Sequence, residues 1–513
     1  MELVYLWVED YKNIQKQGFN FSPKFSCAYD EKNNKLTIDE NDDYIENFFG
    51  ENINVTAIVG KNGSGKSSLL EILTNSLSTN NEKNYVFVDP RIDCKFFLIY
   101  QYEGQYYLVQ EKLSFNLNIE SSPCKLIRLV EQKLFEKHKE LISIVLNNEL
   151  TSRKDFSDHW QFFINDTKSD INEIQKIIAS NFIKNRNSSF PKNTDNFFIP
   201  TKIEIKSVYS GIKIDQDFSI EDVKKNIKAV EKKYAEDSSY LSTIEKSDFH
   251  TVNTFGLEKI DIKKLEDIFS LRSDVIDIEI CSDIKSFKDL SYGERQLLTN
   301  LNFILFHTKK NEYETIEIYK GEEGKPEYNK ETIKVNNILV LLDEVELGLH
   351  PSWQKKSMTY IINFLKEIDK KFDLIITSHS PFLLSDIPKK NIIFLDKDEK
   401  GNCKVVNGLK EKKQTFGANI HTLLSDSFFM EDGLMGEFAK SKIDKAIKLL
   451  NQDKLDEKEL KYCEQIISII GEPIVKNQLQ RMLTDKKISY LAKDTREEIE
   501  FLKHRIDLLS KRL

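Results

Sequence analysis

A short glycine-rich segment constrains the fold of this 513-residue chain more than any other feature. Residues Gly60 to Ser67 spell G-K-N-G-S-G-K-S, which matches the pattern G-x-x-x-x-G-K-[ST] in full. An apolar run, 55–59, precedes this loop, and a helical pattern follows it. The order of buried strand, glycine loop and helix predicts an α/β fold with a parallel sheet, in which backbone N–H groups at a helix N-terminus surround phosphate oxygens.

The same loop supplies the candidate nucleotide-binding residues. Lys66 is predicted to reach the β- and γ-phosphates, and the Ser67 hydroxyl is predicted to bind the metal ion. ATP and Mg²⁺ are therefore the predicted cofactors. The other candidate nucleotide-binding residues lie in the loop or at the start of the following helix, and they are Gly60, Asn62, Gly63, Ser64, Gly65 and Ser68.

A second apolar run, 338–342, ends in the carboxylates of Asp343 and Glu344. A parallel strand that is buried on both faces has this pattern, and its carboxyl end opens at the same edge of the sheet as the loop. Asp343 is predicted to hold Mg²⁺, usually through water, and Glu344 is predicted to be the general base for the attacking water. Alone, such an ending also fits a core strand followed by a surface turn. Together with the glycine loop, it favours nucleotide hydrolysis.

The segment 290–296, L-S-Y-G-E-R-Q, precedes a helical run and resembles the signature motif LSxGE/Q of ABC-type ATPases. In that class the signature of one subunit closes over ATP held by the P-loop of the other, so the resemblance implies a head-to-head homodimer. The residues implied to act in trans are Ser291, Tyr292, Gly293 and Glu294. The same spacing also predicts a capping box between Ser291 and Glu294, and both interpretations can hold together.

Four further positions are interpreted as parts of ABC-type heads. The segment 346–351 lies where the D-loop belongs, and His379 matches the switch histidine, a hydrogen-bond donor to the γ-phosphate. Residues 11–14 resemble a segment of RecF- and SMC-like heads whose basic residue touches ATP, with Lys12 here in place of arginine. Gln101 follows a predicted strand and is interpreted as the glutamine-loop residue, a further metal ligand.

The order and spelling of these motifs resemble the RecF/SMC/OLD branch of ABC-type ATPases. Residues 416–429 also resemble the AAA family ATPases of bacterial antiphage defence, with the PtuA type of Septu and retron systems first and the AriA type of PARIS systems second. The resemblance implies an ABC-ATPase head, 1–75 and 285–430, built from a mixed β lobe and a parallel-sheet P-loop core. A largely helical insertion, 76–284, would split this head, and an all-helical extension, 431–513, would serve oligomerisation or partner docking.

The resemblance also implies partners. ATP would clamp two heads together, with higher oligomers also compatible, and DNA or nucleotide state would license a nuclease subunit of the HNH PtuB type or of the TOPRIM type. A retron would add a reverse transcriptase and its non-coding RNA. The motif 396–398, D-K-D, is interpreted as a turn and not as a TOPRIM metal site, so no intrinsic nuclease is expected. Two other functions stay open: a nucleotide-gated scaffold with slow hydrolysis, and a RecF- or RecN-like DNA repair ATPase.

The charge balance limits how the chain could bind DNA. A net charge of −8, from 75 basic and 83 acidic residues, excludes a globally basic coat. Within 176–202, basic residues alternate with phenylalanines, a pattern that suits phosphate contact and base stacking. The alternative is a solvated loop over a helical lid, anchored by the phenylalanines. The candidate DNA-contacting residues are Lys184, Arg186, Lys192 and Lys202.

The remaining patterns concern location and local structure. No apolar run approaches the ~20 residues needed to span a bilayer, no signal peptide is recognisable, and the six cysteines form no C-x-x-C pair. A cytoplasmic protein without a membrane partner is therefore expected. Strands are predicted at 85–88, 96–100 and 106–109, and helices at 125–148 and 219–236. A 3-4-3-4 apolar spacing over 499–513 predicts either a coiled-coil seam or a helix docked on the chain's own helices.

Overall fold

The computed structural model describes most of the chain, and it falls into two compact units, Met1–Phe429 and Met430–Leu513. The described ranges are 1–76, 94–111, 113, 118–121, 126–130, 141–146, 168–185, 198–207, 214, 217–235, 251–273, 275–310, 313–319, 328–407, 414–427, 435–452, 455–491 and 495–510. The strand predicted at 85–88 lies outside these described residues.

The strands of the described residues all belong to the first unit. They are β1 (Glu2–Tyr11), β2 (Ile14–Asn20), β3 (Phe25–Asp30), β4 (Lys35–Glu40), β5 (Ile53–Gly60), β6 (Lys95–Tyr102), β7 (Gln105–Glu111), β8 (Asn118–Ser121), β9 (Leu126–Val130), β10 (Leu141–Leu146), β11 (Lys202–Ser207), β12 (Thr251–Gly256), β13 (Ile276–Cys281), β14 (Tyr313–Tyr319), β15 (Tyr328–Lys334), β16 (Asn337–Leu342), β17 (Lys371–Ser378), β18 (Ile392–Lys397) and β19 (Cys403–Val406).

The α-helices of the described residues occur in both units. They are α1 (Lys66–Ser76), α2 (Lys168–Asn185), α3 (Ile220–Ala235), α4 (Ile262–Ser270), α5 (Tyr292–Lys310), α6 (Pro351–Lys366), α7 (Pro381–Leu384) and α8 (Ile420–Ser427) in the first unit, and α9 (Glu437–Leu450), α10 (Glu457–Ile469), α11 (Pro473–Leu491) and α12 (Thr495–Ser510) in the second.

A six-stranded sheet with the order β10-β16-β17-β5-β18-β19 forms the centre of the first unit. Its first five strands are parallel, and β19 returns antiparallel to β18. Every residue of β16 is buried, as expected for a parallel strand covered on both faces. The predicted α/β fold with a parallel P-loop core is confirmed. Because the strands are parallel, the carboxyl ends of β5, β16 and β17 lie at one edge of the sheet.

A β lobe lies beside this core. It contains a five-stranded sheet, β2-β1-β6-β7-β9, and a three-stranded sheet, β3-β4-β8. Aromatic side chains join the two sheets, since the Trp7 ring stacks on Phe97 at 5.6 Å and meets the edge of Tyr29 at 4.9 Å. The strands predicted near 96–100 and 106–109 are confirmed as β6 and β7. Because both pair within the sheet of β1, residues from the predicted insertion form part of the β lobe.

The helix predicted over 125–148 is wrong. The structure places β9 and β10 there, and β10 runs parallel to β16, with Ile144 opposite Val340. A short, mainly apolar segment such as Leu141–Leu146 fits a buried strand as well as a buried helix, and periodicity alone cannot separate the two. Pairing with a strand almost 200 residues away decides the outcome.

A mixed layer follows in the chain. The three-stranded sheet β12-β11-β13 packs with helices α2, α3 and α4, and the helix predicted at 219–236 is confirmed as α3. The buried Asn181 amide of α2 donates to the Asn302 carbonyl of α5 at 2.8 Å, which ties this layer to the helix that carries the signature motif. None of the described helices is long and apolar enough to cross a membrane.

The regular secondary structure in the described residues of the second unit is entirely helical, as predicted. Helices α9, α10 and α11 share a small core that includes Ala446, Cys463 and Leu483. Helix α12 differs from them because its apolar side chains Ile499 and Ile506 are 49% and 66% exposed. That helix therefore carries an apolar face that the second unit does not cover.

Candidate functional site

The glycine loop connects β5 to α1, and its glycines are required by their surroundings. A Cβ on Gly60 would lie 2.2 Å from the Leu395 carbonyl oxygen, a contact that backbone atoms cannot relieve. Gly63 and Gly65 have φ angles of 70° and 108°, in the region that favours glycine. The loop therefore keeps a tight backbone curve directly before the N-terminus of α1, the arrangement that presents N–H groups to an anion.

Lys66 is buried at the base of this loop. Its Nζ donates to the carbonyl oxygens of Gly60 at 2.9 Å and Lys61 at 3.2 Å. Burial lowers the pKa of Lys66, and the nearby carboxylates of Glu344 and Asp343 act in the opposite direction. The ammonium is thus held between the loop and the acidic strand end, where phosphate oxygens can accept the same hydrogen bonds.

A buried serine in the loop gives a further reason to expect that a nucleotide phosphate chain binds there. The Ser64 hydroxyl is buried and has no hydrogen-bond partner among the described residues. A buried polar atom without a partner is costly, so such an atom in a loop of this type points to an external partner. Ser67 is exposed at the start of α1, so its hydroxyl is accessible to a metal ion.

Asp343 follows β16 and is held by Thr377 from the end of β17. The Thr377 hydroxyl donates to Asp343 Oδ1 and accepts the Glu344 backbone N–H at 2.8 Å. Burial raises the pKa of Asp343, and the neighbouring Glu344 adds to this effect. A buried carboxylate of this kind is stabilised by a cation. Ser67 and Asp343 are accordingly the side chains that could hold Mg²⁺ at this edge.

Glu344 adopts an unusual backbone conformation, with a φ angle of 46°. A non-glycine residue in this region costs of order 1–3 kcal/mol, which the surrounding structure must offset. The conformation leaves the Glu344 carboxylate 38% exposed, with Oε1 3.5 Å from His379 Nε2. The predicted base and the predicted switch histidine are therefore neighbours.

His379 is fixed through its backbone, because its N–H donates to Glu346 Oε1. Burial lowers the pKa of His379 to about 4, and the positive charge of Lys66 contributes. The imidazole is therefore neutral near pH 7 and donates from one ring nitrogen only. Burial also raises the pKa of Glu346. Sequence reasoning missed the supporting roles of Thr377, in the last two residues of β17, and Glu346, in the turn after β16.

The signature segment opens α5 with a capping box. The Ser291 hydroxyl donates to Glu294 Oε2 at 2.8 Å, and the same oxygen accepts the Ser291 backbone N–H at 2.9 Å. Lys285 adds an ion pair with Glu294 Oε1 at 2.8 Å. The capping-box interpretation is confirmed, and the Ser291 side chain stands exposed at the helix N-terminus.

The signature segment also packs on the D-loop of the same chain. A Cβ on Gly293 would lie 2.5 Å from the carbonyl carbon and oxygen of Gly348, and the Tyr292 ring covers Gly348, whose φ angle is 72°. Gly348 belongs to the turn that begins at Glu344. The signature segment and the turn that carries the predicted base are therefore in direct contact.

The segment around Lys12 lies against the glycine loop. The Asn13 side chain donates to the Gly63 carbonyl oxygen at 3.0 Å, and the Asn13 carbonyl accepts the Cys403 N–H at 2.7 Å. Lys12 itself pairs with Glu71 of α1. Lys12 therefore lies beside the glycine loop. A phosphate that bound the Lys12 ammonium would compete with the Glu71 carboxylate.

The interpretation of Gln101 as a metal ligand is wrong. In the antiparallel pair β1–β6, Gln101 lies opposite Glu2, at the start of β1. The glycine loop is contacted by Asn13, which lies beyond the other end of β1. The Leu3 N–H donates to Asp373 at the start of β17, so this end of β1 lies at the amino ends of the parallel strands. Gln110, near the end of β7 and in register with Phe97, lies nearer the loop side of the lobe.

The candidate DNA-contacting residues are only partly described. Lys184 is exposed, Lys202 pairs with Glu204 at 3.0 Å, and Arg186 and Lys192 lie outside the described residues. Phe198 is buried in the core and meets the Phe287 ring. This phenylalanine anchors the segment and is not available to stack on a base.

The D-K-D segment spans the end of β18 and the start of the turn: Asp396 and Lys397 pair with β19, and Asp398 opens the turn. Asp396 pairs with Lys61 of the glycine loop at 3.2 Å. Asp398 accepts the backbone N–H groups of Lys400 and Asn402 at 2.9 and 2.7 Å, which closes the β18–β19 hairpin. Within the described part of the chain, no group of three or more His, Cys, Asp or Glu side chains is placed to hold a metal ion.

Comparisons with known proteins identify related sequences. A family model described as "AAA domain, putative AbiEii toxin, Type IV TA system" matches residues 131–385, which contain the signature, the acidic strand end and His379. The Septu protein PtuA of Bacillus thuringiensis is 28% identical over 225 residues, covering 42% of this chain and 51% of that protein. The chain thus spans about half the length of this curated relative.

Two retron proteins are also similar. The Retron Vc95 probable ATPase of Vibrio cholerae serotype O1 biovar El Tor is 23% identical over 378 residues, covering 66% of this chain and 68% of that protein. The Retron Ec83 probable ATPase of Escherichia coli is 40% identical over 62 residues, 12% of this chain and 11% of that protein. The predicted resemblance to AAA family ATPases of antiphage defence is confirmed by these relatives.

Solved structures with some similarity include the SMC head domain from Thermotoga maritima, at 12% identity and a TM-score of 0.29, covering 79% of this chain and 98% of that chain. The SmcHead bound to the C-winged helix domain of ScpA is 15% identical with a TM-score of 0.27, covering 79% of this chain and 97% of that chain. The sheet order and the strand register of the chain itself define its fold.

Proposed function

We propose that this chain, a relative of Septu and retron ATPases, binds and hydrolyses ATP as the regulatory subunit of an antiphage defence complex. One observation carries the proposal: the glycine loop, the Asp343–Glu344 strand end and His379 meet at a single edge of the parallel sheet. The electrostatics support it, because three carboxylates act on the Lys66 ammonium. The negative phosphate oxygens are complementary to the Lys66 ammonium, and Mg²⁺ is complementary to the carboxylates.

Each residue has a separate task in this proposal. Lys66 and the loop N–H groups would hold the β- and γ-phosphates, and Ser67 and Asp343 would hold Mg²⁺, which would neutralise charge on the phosphate oxygens. The Glu344 carboxylate accepts a proton from the attacking water. Neutral His379 donates one hydrogen bond to the γ-phosphate, and its backbone contact with Glu346 keeps the ring in position.

The proposed assembly is a homodimer through ATP held between two heads, and higher oligomers are compatible with it. The exposed Ser291 hydroxyl at the N-terminus of α5 supports this, since a helix N-terminus attracts a phosphate. The packing of Gly293 on Gly348 supports coupling between that contact and the Glu344 turn. ATP turnover would thereby control a partner nuclease of the HNH or TOPRIM type, with a reverse transcriptase and RNA where the system is a retron.

Substituting Asp343 tests the metal site. We expect Asp343→Asn to raise the Mg²⁺ concentration needed for half-maximal ATP turnover by about 10- to 100-fold, because a ligand that holds the metal directly or through water loses its charge. Phosphate release measured across a Mg²⁺ titration gives the value. Asp369→Asn, a change near the end of the connection from α6 to β17, is the control. An unchanged Mg²⁺ requirement in Asp343→Asn would contradict the role of Asp343.

Removing α12 tests the second unit. Truncation after Lys493 should lower the mass of the complex isolated with its native partners, because it deletes the exposed apolar face that includes Ile499 and Ile506. Light scattering gives the mass, and ATP turnover of the truncated chain should persist. Ile506→Asp should reproduce the loss, whereas Asp507→Ala, on an exposed polar position of the same helix, should not. An unchanged assembly with all partners retained would refute this role.

A further inference from the structure

The β18–β19 hairpin carries a lysine to the outer side of the glycine loop. Strand β18 runs parallel to β5, with Leu395 opposite Gly60, so the end of β18 passes beside the loop. There Lys397 extends across Gly63, and its Nζ lies 2.9 Å from the position that a Cβ on Gly63 would occupy. The absence of a side chain at Gly63 makes room for the Lys397 ammonium.

The charges around the loop distinguish Lys397 from its basic neighbours. Lys61 pairs with Asp396, and Lys12 pairs with Glu71. Within the described part of the chain, the Lys397 ammonium forms no hydrogen bond or ion pair, although its backbone N–H donates to Asp396 Oδ1. Lys397 is also close enough to Lys66 for its charge to lower the pKa of that residue.

The ammonium groups of Lys66, in the loop, and Lys397, beside the loop, repel each other, and a polyanion that contacts both would replace this repulsion with attraction. We propose that Lys397 donates a hydrogen bond from Nζ to the phosphate chain of ATP bound by the glycine loop of the same subunit. This inference rests on the proposed function, since it requires that ATP binds at the loop. A lysine ammonium on a flexible stem is suited to phosphate as a point charge.

The affinity of the full-length chain for ATP in the presence of Mg²⁺, measured by calorimetry, tests the contact. We expect Lys397→Gln to raise the Kd by about tenfold, the effect of losing one charge-assisted hydrogen bond at a partly exposed position. Lys397→Arg should keep most of the affinity. The difference between wild type and Lys397→Gln should shrink as the salt concentration rises, because salt screens exposed charges. A purely structural lysine would not produce that dependence.

Lys400→Gln is the matched control, since Lys400 is an exposed lysine in the turn of the same hairpin. Thermal unfolding of each variant verifies that the fold is retained. Binding of ATP by wild type but not by Lys66→Ala would support the proposed function. If Lys397→Gln then bound ATP as tightly as Lys400→Gln, the Lys397 contact alone would be refuted. If wild-type protein fails to bind ATP, the proposed function itself is refuted.

Discussion

Glu344→Gln should slow ATP hydrolysis by about a thousandfold while ATP binding persists, and ATP-filled dimers should accumulate. The glutamine keeps the size of the side chain but cannot accept a proton from the attacking water, and general base catalysis is worth roughly 10²- to 10⁴-fold. The φ angle of 46° at this position belongs to the backbone and is held by the contact of the Glu344 N–H with Thr377, so the substitution should leave the turn in place.

Two measurements verify the effect of Glu344→Gln. Phosphate release reports the chemical step, and light scattering in ATP and in ADP reports the dimer. Glu399→Gln, an exposed carboxylate in the β18–β19 turn, should behave as wild type in both. Hydrolysis at the wild-type rate in Glu344→Gln would assign the base to another residue. Slow hydrolysis without dimers in ATP would separate the base from the proposed closure of two heads.

The parts of the site that could be predicted share one physical property. The glycine loop, the Asp343–Glu344 pair and His379 each follow a buried apolar strand within a few residues. In a parallel sheet, all such positions lie at the same edge, so their common edge follows from strand type, whereas their proximity also requires the neighbouring order β16-β17-β5. Local sequence therefore predicted that these residues share one edge, even though the loop and His379 are more than 300 residues apart.

The parts that could not be predicted depend on strand direction and long-range pairing. Gln101 is predicted to follow a strand, but it lies within β6, which is antiparallel to β1 and ends at the far side of the lobe. The apolar run of β10 could be a helix or a strand until β16 lies beside it. Lys397 reaches the loop only because β18 is the neighbour of β5. Each of these facts is a property of the sheet and not of a local segment.

The signature segment shows why a local interpretation and a functional one need not compete. Ser291 and Glu294 cap α5 within one chain, which fixes the helix start and leaves Ser291 exposed. A rigid, exposed helix N-terminus is also what a phosphate held by another subunit would contact. The hydrogen bonds within one chain are the same under both interpretations, so only an experiment with two different subunits separates them.

Mixing two inactive variants should restore ATP hydrolysis. Lys66→Ala removes the phosphate-binding lysine, and Ser291→Arg places a bulky side chain on the exposed signature position. Each variant alone should have about a hundredth of wild-type turnover or less, by analogy with the loss of one charge-stabilising donor. In a two-fold dimer, one site of each mixed pair combines the intact loop of one subunit with the intact signature of the other. A 1:1 mixture should therefore reach about one quarter of wild-type turnover.

The control for this experiment uses two lesions in the same half of the site. Lys66 and Glu344 act on each other electrostatically within one chain. A mixture of Lys66→Ala with Glu344→Gln would therefore regain activity only if the base at each site came from the opposite subunit. Since the base is placed in the subunit that holds the nucleotide, that mixture should stay inactive. If the Lys66→Ala and Ser291→Arg mixture regained no activity, the composite site would be contradicted. Recovery in the control would instead place the Glu344 base opposite the nucleotide-binding loop, in the other subunit, and would contradict its assignment to the subunit that holds the nucleotide.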